Sequence, residues 1–492
     1  MNYRLLAKIL GVLLCLIGLS MAACAGYAYY EMQWSPELGR AGLETLIWST
    51  AITMSVGVAG MIVGRGTGNE VLRREAMVVV GLGWLLSALA GALPFVLGEP
   101  RLSFAGAYFE SMSGFTTTGS TVINDLDLYP RSILLWRSVT QWLGGIGIVV
   151  LFVAVLSFLG VGSRSLMQHE SSLNISDAAA ARIRDVAKKL LLIYVGLSAV
   201  CAAGLWWLGM TPYEAINHAM TTISTGGFST ENKSVGHWDS LAIEAWLTLF
   251  MLAGGVSFML YVFIANRRWS RLRAEEEARY YVLLLVVATL AMGTNLWLTD
   301  ENTSFLMGLR RTFFTIVSIS TTTGFGTEDY DQWPTFSKLL LLGLMAVGGC
   351  AGSTAGGVKM NRVILMAKIS VQELVKSFRP HQVFRLRLNG TTPDESVRLQ
   401  TTLFMSFAFG TCGLAALAVA LLEPHLNLTS SFGAVLATLF NIGPGMEQVG
   451  PTDNFSSLHP ASLMLLSIVM VLGRLEFFAI LVLFLPSLWR RY

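Results

Sequence analysis

The sequence predicts an all-α polytopic membrane protein: four pseudo-symmetric span–half-helix–loop–span repeats around a shared axis, preceded by two extra transmembrane helices. Three observations predict it. Only 13% of the 492 residues are charged and 53% are hydrophobic. Ordinary soluble domains carry about 25% charged residues, so polar material is too scarce here to cover a water-facing surface. The apolar residues also fall in blocks, among them Leu190–Gly209, Tyr281–Leu298, Leu339–Val347 and Ser462–Leu485. A run of roughly 18 or more such residues crosses a bilayer as a helix. Finally, four loops rich in threonine and glycine recur at nearly regular spacing.

The first two spans are expected near Leu5–Tyr30 and Leu43–Val63, within residues 1–75. The start of the chain, with Arg4 ahead of an apolar run, mimics a secretory signal. No small-residue cleavage site ends that run before Tyr27, so an uncleaved first span is expected. The repeats follow at residues 76–165, 166–270, 271–385 and 386–492. Their loops are Gly114–Ser120, Thr221–Phe228, Ser320–Thr327 and Phe440–Gly445. With Gly119, Gly227, Gly324 and Gly443 taken as equivalent, the separations are 108, 97 and 119 residues. Before each loop lies a segment too short to cross a membrane as a helix: Phe104–Phe115, Pro212–Ser224, Leu306–Thr321 and Ser430–Phe440. Each suits a re-entrant half-helix. One Thr-Gly cluster is an ordinary turn; four at matching positions in matching topology argue for a central pore. The count is about ten crossings, which puts both termini on one side.

Charge sets the orientation. Basic clusters occur at Arg65/Arg73/Arg74, Arg182/Arg184/Lys188/Lys189, Arg267/Arg268/Arg271/Arg273 and Arg379/Arg385/Arg387. The intervening loops are acidic, with Asp125/Asp127, Glu231/Asp239, Glu328/Asp329/Asp331 and Glu447/Asp453. Cytoplasmic loops carry the excess of Lys and Arg, so the basic loops face the cytoplasm. Arg4 and Lys8 place the N-terminus there, and Arg490/Arg491 the C-terminus. The regular alternation with spans explains these clusters as membrane orientation rather than nucleic-acid binding. The five cysteines (Cys15, Cys24, Cys201, Cys350 and Cys412) lie in apolar stretches without metal-ligand spacing.

Such loops suit an ion pathway. Irregular backbone at membrane depth is tolerated only where it is buried in protein or lines water. Rings of backbone carbonyls can replace a cation's hydration shell. Glycine matters because the backbone that turns carbonyls inward is strained for residues with a Cβ. Each half-helix enters its loop by its C-terminal end, whose partial negative charge favours a cation. The acidic outer loops raise the local cation concentration.

These residues resemble the Trk/Ktr/HKT superfamily, and within it the bacterial Trk-type potassium uptake subunits, over essentially the whole chain. The motifs that carry the resemblance are Ser113-Gly-Phe-Thr-Thr-Thr-Gly119, Ser224-Thr-Gly-Gly-Phe228, Thr321-Thr-Thr-Gly-Phe325, Asn441-Ile-Gly-Pro-Gly445 and the run from Gly348 to Lys359. The resemblance implies one filter glycine per repeat: Gly119, Gly227, Gly324 and Gly443. It implies K⁺ coordination by carbonyls around Thr117/Thr118, Thr225/Gly226, Thr322/Thr323 and Asn441/Ile442. Glycine rather than serine at position 119 goes with K⁺ preference. The fourth loop departs most, with Asn441 and Pro444 in place of Thr and Phe. The resemblance further implies a bacterial inner-membrane location, a homodimer, and a cytosolic ring of nucleotide-binding regulatory subunits docking on the basic loops.

Two gate elements are expected. The glycine-rich stretch Gly348, Gly349, Gly352, Gly356 and Gly357 should break the second span of the third repeat. Lys359 follows it, but the spacing does not fit a phosphate-binding G-x-x-x-x-G-K-[ST] loop. A flexible intramembrane loop under the filter is one reading, and the resemblance implies it; a packing break between close helices is the other. Arg474 lies within Leu463–Leu485, where a charge costs at least about 2.5–3.5 kcal/mol, so it should face protein or a watery cavity. It matches an arginine that lines the pore in Trk-type proteins; a structural ion pair is the alternative. Glu476, two residues on, points to a different face. His218 is expected to be a packing histidine, and Glu110, with Arg137 nearby, to hold its loop from behind.

Three function classes compete. A gated, channel-like pathway driven by the membrane potential needs no proton relay. A symporter coupled to H⁺ or Na⁺ needs buried carboxylates or histidines in the spans, and few are available. A membrane enzyme needs a metal cluster, nucleophile–base pair or phosphate loop, and the sequence has none, so no enzyme activity is expected. K⁺ is the expected cargo and membrane lipid the expected surroundings. The longest cytoplasmic loops, near Val161–Asp185 and Phe378–Val397, are too short for a nucleotide-binding domain, so no nucleotide is expected to bind this chain.

Overall fold

A computed structural model of the chain describes residues 1–67, 73–158, 175–301, 303–380 and 386–489. Most of the expected loop Val161–Asp185, with Arg385, Arg490 and Arg491, lies outside the described residues, as do the expected repeat boundary at 165/166 and residue 385 of that at 385/386.

Helices α1 (Tyr3–Glu31) and α2 (Pro36–Val63) precede four units of one plan. The first holds α3 (Arg73–Gly91), α4 (Leu93–Leu97), α5 (Phe104–Phe115) and α6 (Arg131–Phe158). The second holds α7 (Ile175–Trp207), α8 (Pro212–Ile223), α9 (Leu241–Gly255), α10 (Phe258–Ala265) and α11 (Trp269–Arg273). The third holds α12 (Glu276–Thr299), α13 (Phe305–Ser320), α14 (Thr335–Ala346) and α15 (Met360–Phe378). The fourth holds α16 (Glu395–Leu422), α17 (Leu428–Leu439), α18 (Pro460–Arg474), α19 (Phe478–Leu481) and α20 (Pro486–Trp489). Among the described residues no strand forms; the pairs Val347–Val358 and Leu388–Thr391 are isolated bridges.

Six described helices are long and apolar enough to cross a membrane, and two bent pairs, α9/α10 and α18/α19, would each make a further span. The remaining span positions of the plan are held by α6 and by α14 with α15. The outward faces of α2, α12 and α16 expose Trp48, Val56, Leu283, Leu290, Leu414 and Leu421, the apolar surface of a helix that crosses a membrane. The chain is a multi-pass membrane protein.

Two spans differ from their expected course. The apolar run Ser462–Leu485 is not one helix: α18 stops at Arg474 and the chain turns by 115° into α19, through Glu476 and Phe477 at φ 57° and 63°. Likewise α9 stops at Gly255 and turns by 91° into α10. In both cases hydropathy continues while the helix does not, because hydropathy reports immersion and not hydrogen-bond continuity.

Candidate functional site

The half-helices α5, α8, α13 and α17 each begin on a side-chain cap. Ser103 accepts from the Gly106 N–H at 3.1 Å, Thr211 from Glu214 at 3.3 Å, Ser304 from Met307 at 3.3 Å and Asn427 from Ser430 at 2.7 Å. These caps satisfy N–H groups that have no partner within the helix. At α8 the Glu214 side chain answers with a bond to the Thr211 N–H, completing a capping box.

Each half-helix also ends in the same way. The residue after the C-cap takes the left-handed conformation: Thr117, Thr225, Thr322 and Asn441, at φ 52°, 54°, 56° and 55°. The next N–H reaches back five residues, from Thr118 to Ser113 at 2.8 Å, Gly226 to Thr221 at 2.8 Å, Thr323 to Ser318 at 2.9 Å and Ile442 to Ala437 at 2.8 Å. This is the Schellman closure, whose left-handed position is usually glycine. A β-branched threonine there is a conformational outlier, and such strain collects at functional sites. Two residues later comes a glycine at positive φ in every loop: Gly119 (87°), Gly227 (74°), Gly324 (83°) and Gly443 (111°).

The four glycines meet about one axis. A Cβ on Gly119 would overlap the carbonyl oxygen of Gly226 in the second loop. One on Gly227 would overlap that of Thr323 in the third, and one on Gly324 that of Ile442 in the fourth. On Gly443 it would sit 3.0 Å from the carbonyl oxygen of Thr118, back in the first. The contacts run one to two, two to three, three to four and four to one, so the loops close a ring. Thr117, Thr118, Thr225, Thr322, Thr323, Asn441 and Ile442 are all buried in it.

Side chains brace the ring from behind. The carboxylate of Glu110 accepts from the Val122 N–H at 2.9 Å, from the Thr121 hydroxyl at 3.0 Å and from Arg137 Nε at 2.5 Å. Arg137 donates onward to the Ser229 carbonyl at 3.1 Å and lies 3.7 Å over the Phe228 ring. Glu110 therefore supports the first loop as expected, and through Arg137 the second as well. On α13, Arg311 pairs with Glu328, which follows the third loop in the chain. His218 is a packing histidine: its Nδ1 meets the Glu214 carbonyl at 2.9 Å and its Nε2 the Ser229 hydroxyl at 3.0 Å.

An outer collar repeats the ring order. Asn232 donates to Asp125 at 2.8 Å, the Gly236 N–H to the Gly326 carbonyl at 3.1 Å, and the Phe455 N–H to the Thr121 carbonyl at 2.9 Å. At the third seam the Glu447 N–H donates to Asp331 at 2.9 Å. Burial pushes the Asp331 carboxyl above its ordinary range, although that N–H pulls the other way.

The glycine-rich stretch does break its span. α14 ends at Ala346 and α15 starts at Met360, and the loop between docks under the ring. The Thr354 hydroxyl donates to the Ile223 carbonyl at 2.9 Å, at the end of α8. The Gly356 N–H donates to the Thr322 hydroxyl at 2.6 Å. The Cys350 N–H donates to the Gly255 carbonyl and the Phe258 N–H to the Gly352 carbonyl, at 2.8 and 2.9 Å, where α9 breaks into α10. Glu277 Oε1 accepts from the Ala351 and Asn361 N–H groups, at 2.7 and 2.9 Å, holding both ends of the loop to α12.

Arg474 reaches this loop from the broken end of α18. It is 4% exposed, and its Nη1 donates to the Thr354 carbonyl at 2.8 Å. Its Nε and Nη2 are buried and meet no acceptor, and no carboxylate pairs with it, among the described residues. Glu476 does face elsewhere and pairs with Arg362 at 2.5 Å. Lys359 Nζ donates to the next carbonyl, that of Ala355, at 2.6 Å. Two cationic side chains thus hold adjacent carbonyls of one loop below the ring.

Several residues here carried no signal by themselves. Gln141, whose side-chain amide donates to the Gly226 carbonyl at 2.6 Å, Glu277 and Thr354 gain their partners only through the fold. The half-helix caps were visible: Ser103, Thr211 and Asn427 each stand 14 residues before the left-handed position, and Ser304 stands 18 before it.

A family model described as TrkH, a cation transport protein, matches residues 50–491. The Trk system potassium uptake protein TrkH of Escherichia coli K12 is 36% identical over 498 residues, with all of both chains covered. The Trk system potassium uptake protein TrkI of Halomonas elongata is 36% identical over 420 residues, 85% of this chain and 84% of that one. The crystal structure of the potassium transporter TrkH from Vibrio parahaemolyticus superposes with a TM-score of 0.88 at 33% identity, with all of both chains covered.

Proposed function

The chain belongs to the TrkH family of cation transport proteins, and we propose that it takes up K⁺ across a bacterial inner membrane through a gated filter of backbone carbonyls. The observation that carries this reading is the closed ring, in which each loop's glycine packs on the carbonyl that precedes the next loop's glycine. Carbonyls around Thr117/Thr118, Thr225/Gly226, Thr322/Thr323 and Asn441/Ile442 supply the oxygens that replace water around K⁺. The four half-helix C-termini add negative potential at the ring. The loop from Gly348 to Gly357 obstructs the path below, and Arg474, a buried cation with no counter-charge among the described residues, raises the barrier there.

The membrane potential, favourable by about 2.3 kcal/mol per charge per 100 mV, drives entry. Coupling to protons needs a titratable group free to load and unload. Glu110 is saturated by donors and both nitrogens of His218 are engaged, which favours the channel-like reading over symport. The protein works as a homodimer with both termini in the cytoplasm, surrounded by lipid, and a separate cytosolic nucleotide-binding ring gates it from the basic loops.

The test is rescue of a potassium-uptake-deficient bacterium at low external K⁺, together with K⁺ flux into proteoliposomes. Flux without a pH gradient is expected. Flux that needs the gradient would replace the channel-like reading with symport, and no flux with a folded protein would end both.

A further inference from the structure

The residue before the filter glycine is held differently in the second loop. In the first and third loops it is a threonine tied to the helix cap, Thr118 to Thr116 at 2.7 Å and Thr323 to Thr321 at 2.8 Å. The second loop has Gly226 there and so no hydroxyl. Its place is taken by Gln141 of α6, a buried side chain whose amide a Cβ on Gly226 would strike. Gln141 Nε2 donates to the Gly226 carbonyl at 2.6 Å, and its Oε1 accepts from the Phe228 N–H at 3.1 Å. The second bond fixes the amide's orientation, because a backbone N–H needs an oxygen opposite it. Among the described residues no donor reaches the equivalent carbonyl oxygens of Thr118, Thr323 or Ile442. At this level of the ring, therefore, three oxygens have no donor and the fourth is shared with an amide N–H.

We propose that Gln141 is a specificity-determining residue of the filter, acting through the Gly226 carbonyl. The inference rests on reading the loops as a K⁺ filter. Discrimination between K⁺ and Na⁺ depends on the number and field strength of the coordinating dipoles and on cavity size. A donor hydrogen beside one oxygen places positive partial charge near the ion and weakens that ligand. The smaller ion gains most from strong ligands, so it loses most. The same bond holds the oxygen outward, against α6, and resists contraction of the ring around Na⁺. A carbonyl has two lone pairs, so the oxygen still faces an ion while accepting from Gln141.

The experiment compares Gln141→Met, which keeps the volume and removes both bonds, with Gln141→Glu, which keeps the acceptor for Phe228 and removes the donor to Gly226. Competition of Na⁺ against Rb⁺ uptake is measured in proteoliposomes, with thermal melting to establish folding. Both variants should lose Rb⁺-over-Na⁺ preference by about five-fold, the factor that one net hydrogen bond represents. An unchanged ratio in folded Gln141→Met overturns the proposal. So does a loss confined to Gln141→Glu, which would report its added charge, or one confined to Gln141→Met, which would report the Phe228 bond. If Gln141→Met does not fold, Gln141→Asn, whose amide withdraws from Gly226, takes its place with the same expected direction. Failure of the unmodified protein to carry Rb⁺ at all would instead refute the transport reading.

Discussion

Alanine at each of the four ring glycines, Gly119, Gly227, Gly324 and Gly443, separates steric closure of the ring from backbone strain. All four glycines lie at positive φ, between 74° and 111°. Each alanine therefore bears a left-handed penalty of about 1–2 kcal/mol. The surroundings are not equal. At Gly119, Gly227 and Gly324 the new methyl overlaps the neighbouring loop's carbonyl oxygen outright, and at Gly443 it stands 3.0 Å from one, against 3.4–4 Å for ordinary contact. At Gly443 the neighbour need yield only a few tenths of an ångström, whereas the other three must displace a carbonyl of the ring. Overpacking of that kind adds about 1–3 kcal/mol. The added cost corresponds to a factor of roughly 5 to 150 in affinity at an ion site. The assay is Rb⁺ uptake into proteoliposomes at matched protein content, with growth at low K⁺ as the cellular counterpart. Gly443→Ala should retain the most uptake, and Gly119→Ala, Gly227→Ala and Gly324→Ala should each fall further by that factor. Equal losses at all four, or a heavier loss at Gly443, would refute the ring of contacts as the cause.

Removing the charge at Arg474 should raise K⁺ flux. Two unit charges separated by about 10 Å at an effective dielectric of about 20 interact by about 1.7 kcal/mol; a barrier of that order predicts that Arg474→Gln increases the rate by roughly an order of magnitude; single-turnover flux checks it, and an unchanged rate in folded protein counts against the barrier. Glu110→Gln leaves Arg137 buried without its counter-charge, a loss of about 3–5 kcal/mol, and thermal melting should show it clearly, with both neighbouring loops loosened. Burial raises the Asp331 carboxyl above its ordinary range, so the folded state binds that proton more tightly than the unfolded chain. The stabilisation is complete below the unfolded value and is lost as pH rises through the folded one. Asp331→Asn, which keeps an acceptor for the Glu447 N–H, should flatten the part of the melting profile that falls as pH rises above the ordinary carboxylate range; an unchanged slope would discount Asp331 as its source.

Immersion of the chain, the span–half-helix–loop–span order and the positions of the four loop glycines are legible in residue order alone. These are local properties: hydropathy accumulates along a segment, and a left-handed residue followed two places later by glycine is a requirement each loop meets alone. The break after α14 was legible for the same reason, since glycines from Gly348 to Gly357 interrupt a helix wherever it lies. The rest follows only from packing. Hydropathy gave no sign that α9 and α18 break at Gly255 and Arg474, because an apolar run looks the same whether its helix continues or turns. The ring, its bracing and the loop beneath it depend on pairs such as Ser120 and Gly443, 323 residues apart, Gln141 and Gly226, 85 apart, and Arg474 and Thr354, 120 apart. No pattern within one segment encodes such pairs. They arise when four similar units pack about one axis, and each unit's unsatisfied donors and acceptors then find partners on the next.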